Sequence, residues 1–135
     1  MRAPLRAGAA GQHPGTPAAG DEAFGRVPNH VLAGARTAID AARGRAREAG
    51  AEPLVRSSRV RGEAREAALT GVAVAEEVLD TGDPVTPPAV VLSGGETTVT
   101  VRGDGVGGPN GEYALRAAIE LAGTDAPVAL AAVDT

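Results

Sequence analysis

The sequence predicts an α/β fold in which helices lie in layers on a mixed, mostly parallel sheet. Segments with helical apolar spacing alternate with short apolar or β-branched segments, which is typical of this fold class. Two glycine-rich stretches follow predicted strands, and ligands of open α/β sheets bind beyond the carboxyl ends of strands. The core is expected to consist of Ala, Val, Leu and Ile, because 43% of the residues are hydrophobic and only 1% are aromatic.

The chain divides into four predicted segments. Residues 1–22 are rich in Gly, Ala and Pro without apolar periodicity, so we expect a disordered tail. Residues 23–80 form the first ordered segment. Residues 81–88 contain three prolines and a Gly-Asp pair, and we expect this linker to be a domain boundary. Residues 89–135 form the second ordered segment.

The first ordered segment is predicted to be helix, strand and helix. Apolar residues recur at helical spacing over 29–49 and again over 62–79. Asn29 is the expected N-cap of the first helix, since its side chain can accept a hydrogen bond from a free backbone N–H group. A short extended segment is expected near 53–57.

The second ordered segment is predicted to contain more strand. Strands are expected at 89–92 and 97–101. A helix over 111–121 is apolar on nearly all sides, so we expect it to be buried. The continuous apolar run over 127–133 is typical of a strand inside a parallel sheet.

Composition excludes several kinds of chemistry within these residues. All thirteen basic residues are arginines, so no lysine is available to contact a phosphate or to form a Schiff base. Cysteine is absent, which excludes thiolate metal ligands and a cysteine nucleophile.

Charge and hydropathy limit the expected partners and compartment. Residues 1–65 carry a net charge of +5 and residues 66–135 a net charge of −9. No aromatic residues are interleaved with the arginines, so we do not expect nucleic-acid binding. No apolar run reaches the ~20 residues of a membrane span, and no secretory signal is visible. The cytoplasm is therefore the expected compartment.

The first candidate site is the stretch Ser93-Gly94-Gly95-Glu96 between two predicted strands. The two glycines leave backbone N–H groups open to an anion. Glu96 could hold a cation or a ligand hydroxyl. A Gly-Gly hairpin turn with an exposed glutamate explains the same residues, and both interpretations stay open.

The second candidate site is a glycine-rich loop that ends in Gly107, Gly108 and Asn110 and opens a helix. Glycines before a helix N-terminus are typical of phosphate sites, because the helix dipole and free N–H groups coincide there. Asn110 would equally serve as an N-cap. A third candidate is Asp134, which follows the last predicted strand. The sequence assigns no metal ligands.

Part of the second segment resembles the MOFRL domain, the C-terminal domain of the glycerate 2-kinases, many of which carry the name hydroxypyruvate reductase. The resemblance rests on VVLSGGETTVTV at 90–101, GGPN at 107–110 and EYAL at 112–115. Upstream, residues 29–49 and the stretch RGEARE at 61–66 resemble the end of the larger N-terminal domain of the same proteins.

The resemblance covers about residues 24–135 and implies a division into domains. Residues 23–80 would be the end of the N-terminal glycerate kinase domain, and residues 89–135 would be the start of a truncated MOFRL domain. Most of the N-terminal domain and an Asp-Gly-rich loop after the last strand are missing relative to the family. We therefore expect an incomplete piece of a two-domain enzyme that is inactive alone.

The implied activity is ATP-dependent phosphorylation of D-glycerate at its 2-hydroxyl, with Mg²⁺ and with glycerate as the small-molecule partner. Such transfer depends on positioning and charge neutralisation. The predicted catalytic residues are Glu96 and Asp134. The predicted cofactor-binding residues are Ser93, Gly94, Gly95, Gly107, Gly108 and Asn110.

Two positions depart from the family pattern, and two other functions stay open. Gly111 stands where the family usually has Gln, and Pro109 stands where many members have Arg.

One alternative function is an NAD(P)-dependent hydroxypyruvate reductase, although no Gly-x-Gly-x-x-Gly run that follows a strand and opens a helix is present. The other is a non-catalytic α/β binding module.

Overall fold

The computed structural model describes residues 2–13, 15–122, 125 and 127–134. The chain divides into two compact units, Met1–Leu32 and Ala33–Thr135. No helix among the described residues has the length and apolar composition needed to cross a membrane.

The first unit contains helix α1 (Arg2–Ala9) and a 3₁₀ turn at Glu22–Phe24. The Asp21 carboxylate caps this turn by accepting a hydrogen bond from the Ala23 backbone N–H, at 2.9 Å. The sequence predicted no regular structure where α1 lies, because its eight residues are too few for a helical repeat of apolar residues to be recognised among Gly, Ala and Pro. A helix of eight residues is marginal in water on its own. Disorder of residues 1–22 stays a prediction, and Met1 and Pro14 of this segment lie outside the described residues.

The second unit alternates helix and strand, which confirms the predicted α/β class. Its elements, in chain order, are α2 (Ala35–Glu48), β1 (Glu52–Val60), α3 (Ala64–Thr81), β2 (Ala89–Gly95) and α4 (Pro109–Leu121). Strand β1, helix α3 and strand β2 form a β-α-β unit, since the two strands pair in parallel and the helix connects them.

The parallel pairing runs from Glu52 opposite Ala89 to Val60 opposite Gly95. It continues beyond the strands as an isolated parallel bridge between Glu63 and Thr98. The hairpin interpretation of residues 93–96 is therefore wrong, because the chain runs on in the same direction instead of turning back along β2.

Two predicted strands are not formed. Residues 97–101 contain only the single bridge at Thr98. Residues 127–133 also lack strand structure, and Val133 is 76% exposed. Both segments have the β-branched or apolar composition of strands. In the described part of the chain, neither has a neighbouring strand to complete its hydrogen bonds along its length.

The two helices of the first ordered segment are confirmed with shifted ends. Helix α2 begins at Ala35, with Gly34 in extended conformation as its N-cap, so the expected cap at Asn29 is wrong. Helix α3 begins and ends two residues later than predicted. Residues 81–88 connect α3 to β2. The strands before and after this connection, β1 and β2, pair in one sheet and belong to one compact unit. The predicted division into two domains stays a prediction.

Helices cover the two faces of the sheet. A Cβ placed on Gly94 would lie 3.1 Å from Ile39 Cδ1 and 3.2 Å from Ala35 Cβ, so Gly94 faces α2. Its neighbour Ser93 accepts a hydrogen bond from Arg56, whose guanidinium also reaches the Ala67 carbonyl of α3. Successive strand residues alternate between faces, so Ser93 lies on the α3 side.

Helix α4 packs against α3 through a small apolar cluster. Ala68, Val72 and Ala117 are buried there, with Tyr113 and Leu121 packed against them. The prediction that this helix is buried on nearly all sides is wrong, because Leu115 is 63% exposed and Ile119 is 56% exposed. Only the stripe that meets α3 is covered within the described residues.

Candidate functional site

The carboxyl ends of β1 and β2 lie side by side, and the residues that follow them form a hydrogen-bonded network. Glu63 lies just after β1, and its carboxylate accepts two hydrogen bonds from Thr100. The Thr100 hydroxyl donates at 2.6 Å and the Thr100 backbone N–H donates at 3.2 Å. The segment that follows β2 is thereby held against the start of α3, which lies at the edge of the sheet where α/β proteins bind ligands.

Arg65 extends this network to the second glycine-rich loop. Its Nη2 lies 3.5 Å from Glu63 Oε2, and its Nε lies 3.1 Å from Glu112 Oε1. All three side chains are about one-third exposed or less. Arg65 therefore connects the first turn of α3 to the first turn of α4, which positions the loop that precedes α4.

The surroundings of Glu63 lower its pKa below the ordinary value of 4.5. The main cause is the hydrogen bond from the Thr100 hydroxyl. The backbone hydrogen bond from Thr100 and the charge of Arg65 act in the same direction. Glu63 is therefore a stable carboxylate at neutral pH, suited to holding the network in place.

Acidification is expected to weaken this network and to reduce its contribution to stability. The pKa of Glu63 is lower in the folded than in the unfolded chain, so its stabilising effect is fully present above about pH 4.5 and is lost as the pH falls further. We expect the difference in urea midpoint between the native chain and Glu63→Gln to shrink below this pH. The pKa of Asp40 is also lowered, by its hydrogen bond to Arg36, but that effect is common to both proteins. A midpoint difference that does not change with pH would contradict the role given to Glu63.

The structure brings together two of the predicted site residues, Asn110 and Asp134. The Asn110 side-chain amide donates a hydrogen bond to the Asp134 carboxylate. Asn110 is the second residue of α4, so Asp134 is held at the N-terminal end of this helix. The favourable interaction of a carboxylate with that end of the helix dipole gives this placement a physical reason.

Glu96, the other predicted catalytic residue, lies directly after β2. Its backbone N–H donates to the Val60 carbonyl at 3.0 Å, which fixes its main chain beside the end of β1. Its side chain is exposed, and in the described part of the chain the carboxylate has no hydrogen-bond or ion-pair partner. The same residues show no hydrogen bond that links Glu96 to Asn110 or Asp134. Glu96 is thus free to contact a ligand.

The two glycines before Glu96 are required by packing. Gly95 has a φ of +152°, which side chains rarely adopt, and a Cβ there would overlap the backbone of Val60. Gly94 allows α2 to approach β2 closely. These contacts explain both glycines, and anion binding by their backbone stays a prediction.

The second glycine-rich loop leaves open space before α4. A Cβ on Gly107 or Gly108 would meet no atom within 4 Å, and Gly108 is the N-cap. The first N–H groups of a helix have no partner within it, so Asn110 and Gly111 present donors toward this space. Pro109 has no N–H and removes one donor from the set.

Sequence reasoning missed the network of Glu63, Arg65, Thr100 and Glu112. Nothing in the sequence connected Glu63 with Glu112, because their shared partner Arg65 is far from Glu112 in sequence. The stretch RGEARE at 61–66 is the signal that marks this region. No group of three or more His, Asp or Glu side chains in the described residues is close enough to hold a metal ion.

In a comparison with known protein families, residues 89–135 match the MOFRL family. The chain is 39% identical over 118 residues to a provisionally named hydroxypyruvate reductase of Agrobacterium vitis, covering 86% of this chain and 26% of that protein. It is 34% identical over 110 residues to a glycerate 2-kinase of Pyrococcus horikoshii, covering 81% and 24%.

A solved structure shares the fold. The crystal structure of glycerate kinase from Thermotoga maritima matches with a TM-score of 0.68 at 36% identity, over 71% of this chain and 23% of that one. The chain thus spans about a quarter of the length of the proteins it matches.

Proposed function

Since this chain belongs to the MOFRL family through residues 89–135, we propose that it is part of a glycerate 2-kinase that phosphorylates D-glycerate at the 2-hydroxyl with ATP. The family match confirms the resemblance carried by the SGGE and GGPN stretches. The observation that carries the proposal is the similarity to a glycerate 2-kinase over 81% of the chain. The cytoplasm stays the predicted compartment.

The described residues fit a phosphate-bearing cofactor. The open space before α4, with its free N–H groups, suits a phosphoryl group, so Gly107, Gly108 and Asn110 are the residues that would hold ATP. The exposed carboxylate of Glu96 offers oxygen ligands of the kind that Mg²⁺ prefers. Bound ATP would supply the transferred phosphoryl group, and Mg²⁺ would neutralise its charge.

The remaining residues of the site position these groups. Glu63, Arg65 and Glu112 tie α3 to α4 and hold the glycine loop at the carboxyl edge of the sheet. Asn110 orients Asp134 at the same helix end. We propose that Glu96 and Asp134 contact the reacting groups or the metal. Ser93 is not among these residues, because its hydroxyl is engaged by Arg56.

Two proteins with opposite expected activities test this function. The chain alone is expected to show no ADP release with D-glycerate and Mg-ATP, because it contains no lysine and spans a quarter of its relatives. In a chimaera, residues 33–135 replace the segment they match in the Thermotoga maritima D-glycerate 2-kinase. We expect this chimaera to release ADP when D-glycerate is added. Steady-state coupled assays measure both.

The control is the same host enzyme carrying the corresponding segment of the Pyrococcus horikoshii glycerate 2-kinase. If that control turns over while the chimaera with residues 33–135 folds but releases no ADP, the kinase proposal fails. Such a result would favour a non-catalytic α/β binding module for this chain.

One observation favours a second function, the reduction of hydroxypyruvate. This observation is that the Agrobacterium vitis relative, which is 39% identical to this chain over 118 residues, carries the name hydroxypyruvate reductase. Dinucleotide-binding folds place a glycine-rich turn between a strand and a helix, but here residues 97–101 before the loop are not a strand. Hydroxypyruvate-dependent oxidation of NADH or NADPH by the chimaera, without ADP release, would establish the reductase instead.

A further inference from the structure

One half-buried arginine differs from the others in its surroundings. Four arginines among the described residues are half-buried: Arg43, Arg56, Arg65 and Arg116. Arg43, Arg65 and Arg116 each form an ion pair with a carboxylate. Arg56 has no carboxylate partner in the part of the chain that the structure describes. A cation that is partly removed from water without a counter-ion is unfavourable, so an anion beside Arg56 would stabilise it.

The guanidinium of Arg56 is held in a defined orientation. Its Nε donates to Ser93 Oγ at 2.9 Å, and its Nη1 donates to the Ala67 carbonyl at 3.5 Å. Two of its three nitrogens are thus held by β2 and α3, while both N–H donors of Nη2 have no partner among the described residues. A guanidinium fixed in this way is preorganised to donate a charge-assisted hydrogen bond from Nη2 to an oxyanion.

Arg56 lines a depression between the end of β1 and the first turns of α3, with a volume of about 310 Å³. The residues that line it are Arg56, Ser57, Val60, Arg61, Ala67 and Thr70. They include two arginines and two hydroxyl groups but no carboxylate. The exposed Arg61 has no ion pair or hydrogen bond within the described ranges. The volume lies at the lower end of the ~300–1,000 Å³ typical of small-ligand sites.

We propose that this depression binds the phosphoryl group of a small molecule. Arg56 supplies the fixed guanidinium, Arg61 approaches from the solvent side, and the hydroxyl of Thr70 is a further donor. Ser93 is a positioning residue, because it orients Arg56 from the neighbouring strand. The site is built from β1 and α3 and does not use Glu96 or the glycine loop before α4. The proposal therefore stands apart from the kinase activity.

Titration of the full chain with inorganic phosphate tests the proposal. At constant ionic strength, without ATP or glycerate, we expect saturable binding by calorimetry and a rise in melting temperature with phosphate. Arg56→Gln and Arg61→Gln are each expected to weaken binding roughly tenfold, since each removes charge-assisted hydrogen bonds. Arg59→Gln is the matched control, because Arg59 is exposed on the same strand and lies outside the depression. It is expected to bind phosphate as the native chain does.

The role of Ser93 has its own readout. Ser93→Ala is expected to weaken phosphate binding several-fold and Ser93→Thr to restore it, because the hydroxyl that orients Arg56 returns. Failure of the threonine variant to restore binding would exclude this role.

Three results would overturn the site: no saturable binding by the native chain, an equal loss in Arg59→Gln, or unchanged binding in folded Arg61→Gln. The last test holds even if Arg56→Gln does not fold, since Arg61 is exposed. Titration with glycerol 2-phosphate distinguishes the two sources of the phosphoryl group. Tighter binding than inorganic phosphate identifies an organic phosphate ester as the ligand, and equal binding identifies the free ion.

Discussion

Gly95→Ala is expected to lower the free energy of unfolding of this chain by about 2–4 kcal/mol, through backbone strain and overlap in a packed region. The φ of +152° at this position disfavours any Cβ, and the added atom would overlap the backbone of Val60. Backbone atoms in a paired strand cannot move aside as a flexible side chain can. The β1–β2 pairing would have to separate at its carboxyl end. Urea unfolding followed by circular dichroism measures the effect.

A graded pair of glycine variants controls this experiment. Gly94→Ala is expected to destabilise less, because its Cβ would meet side-chain atoms of Ile39 and Ala35 at 3.1–3.2 Å, and these can shift slightly. Gly105→Ala is expected to be nearly neutral, since nothing lies within 4 Å of its Cβ and its φ is not positive. If Gly95→Ala and Gly105→Ala unfold at the same urea concentration, the close approach to Val60 does not restrict this position.

Glu96→Gln is expected to reduce kcat/KM by about tenfold to a thousandfold in the chimaera that carries residues 33–135. This range corresponds to about 1.4–4 kcal/mol, the loss that follows from removing one well-placed charged contact to a transition state. The melting temperature should hardly change. The Glu96 side chain is exposed and has no hydrogen-bond partner among the described residues, so its replacement breaks no structural contact.

The matched control is Glu52→Gln. Glu52 is also an exposed glutamate, but it lies at the amino end of β1, at the opposite edge of the sheet. Its replacement is expected to leave kcat/KM unchanged. An unchanged kcat/KM for folded Glu96→Gln would remove Glu96 from the site, and the function would then rest on family membership alone.

The helices of the second unit were predictable because their signals are local. Apolar residues at spacings of three and four located α2 and α3, and only the ends of these two helices were misplaced. Helix α4 was located by its apolar composition, but its burial on nearly all sides was not confirmed. The N-terminus of α2 shifted from Asn29 to Gly34 because a good capping residue does not by itself determine where a helix begins. The short helix α1 was not predicted, because eight residues give at most two turns of a helical pattern.

Strand pairing was less predictable because it depends on partners that are distant in sequence. Residues 97–101 have the composition of a strand, but Thr98 alone makes a bridge, to Glu63. The Gly94-Gly95 pair is typical of a hairpin, whereas here it accommodates the close approach of α2 on one side and of Val60 on the other. The two interpretations differ only in what lies opposite the glycines, which the local sequence does not contain.

The sequence by itself determined the α/β class, the resemblance of residues 89–135 to the MOFRL family, and Glu96, Asn110 and Asp134 as candidate site residues. Their residue types and motif spacing are properties of the chain alone. Only the tertiary structure decided that β1 and β2 run parallel with their carboxyl ends together, and that Arg65 links Glu63 to Glu112 across that edge. It also decided that Arg56 is half-buried without a carboxylate partner among the described residues. Burial and charge pairing depend on distances between residues far apart in the chain, which are set when the helices pack against the sheet.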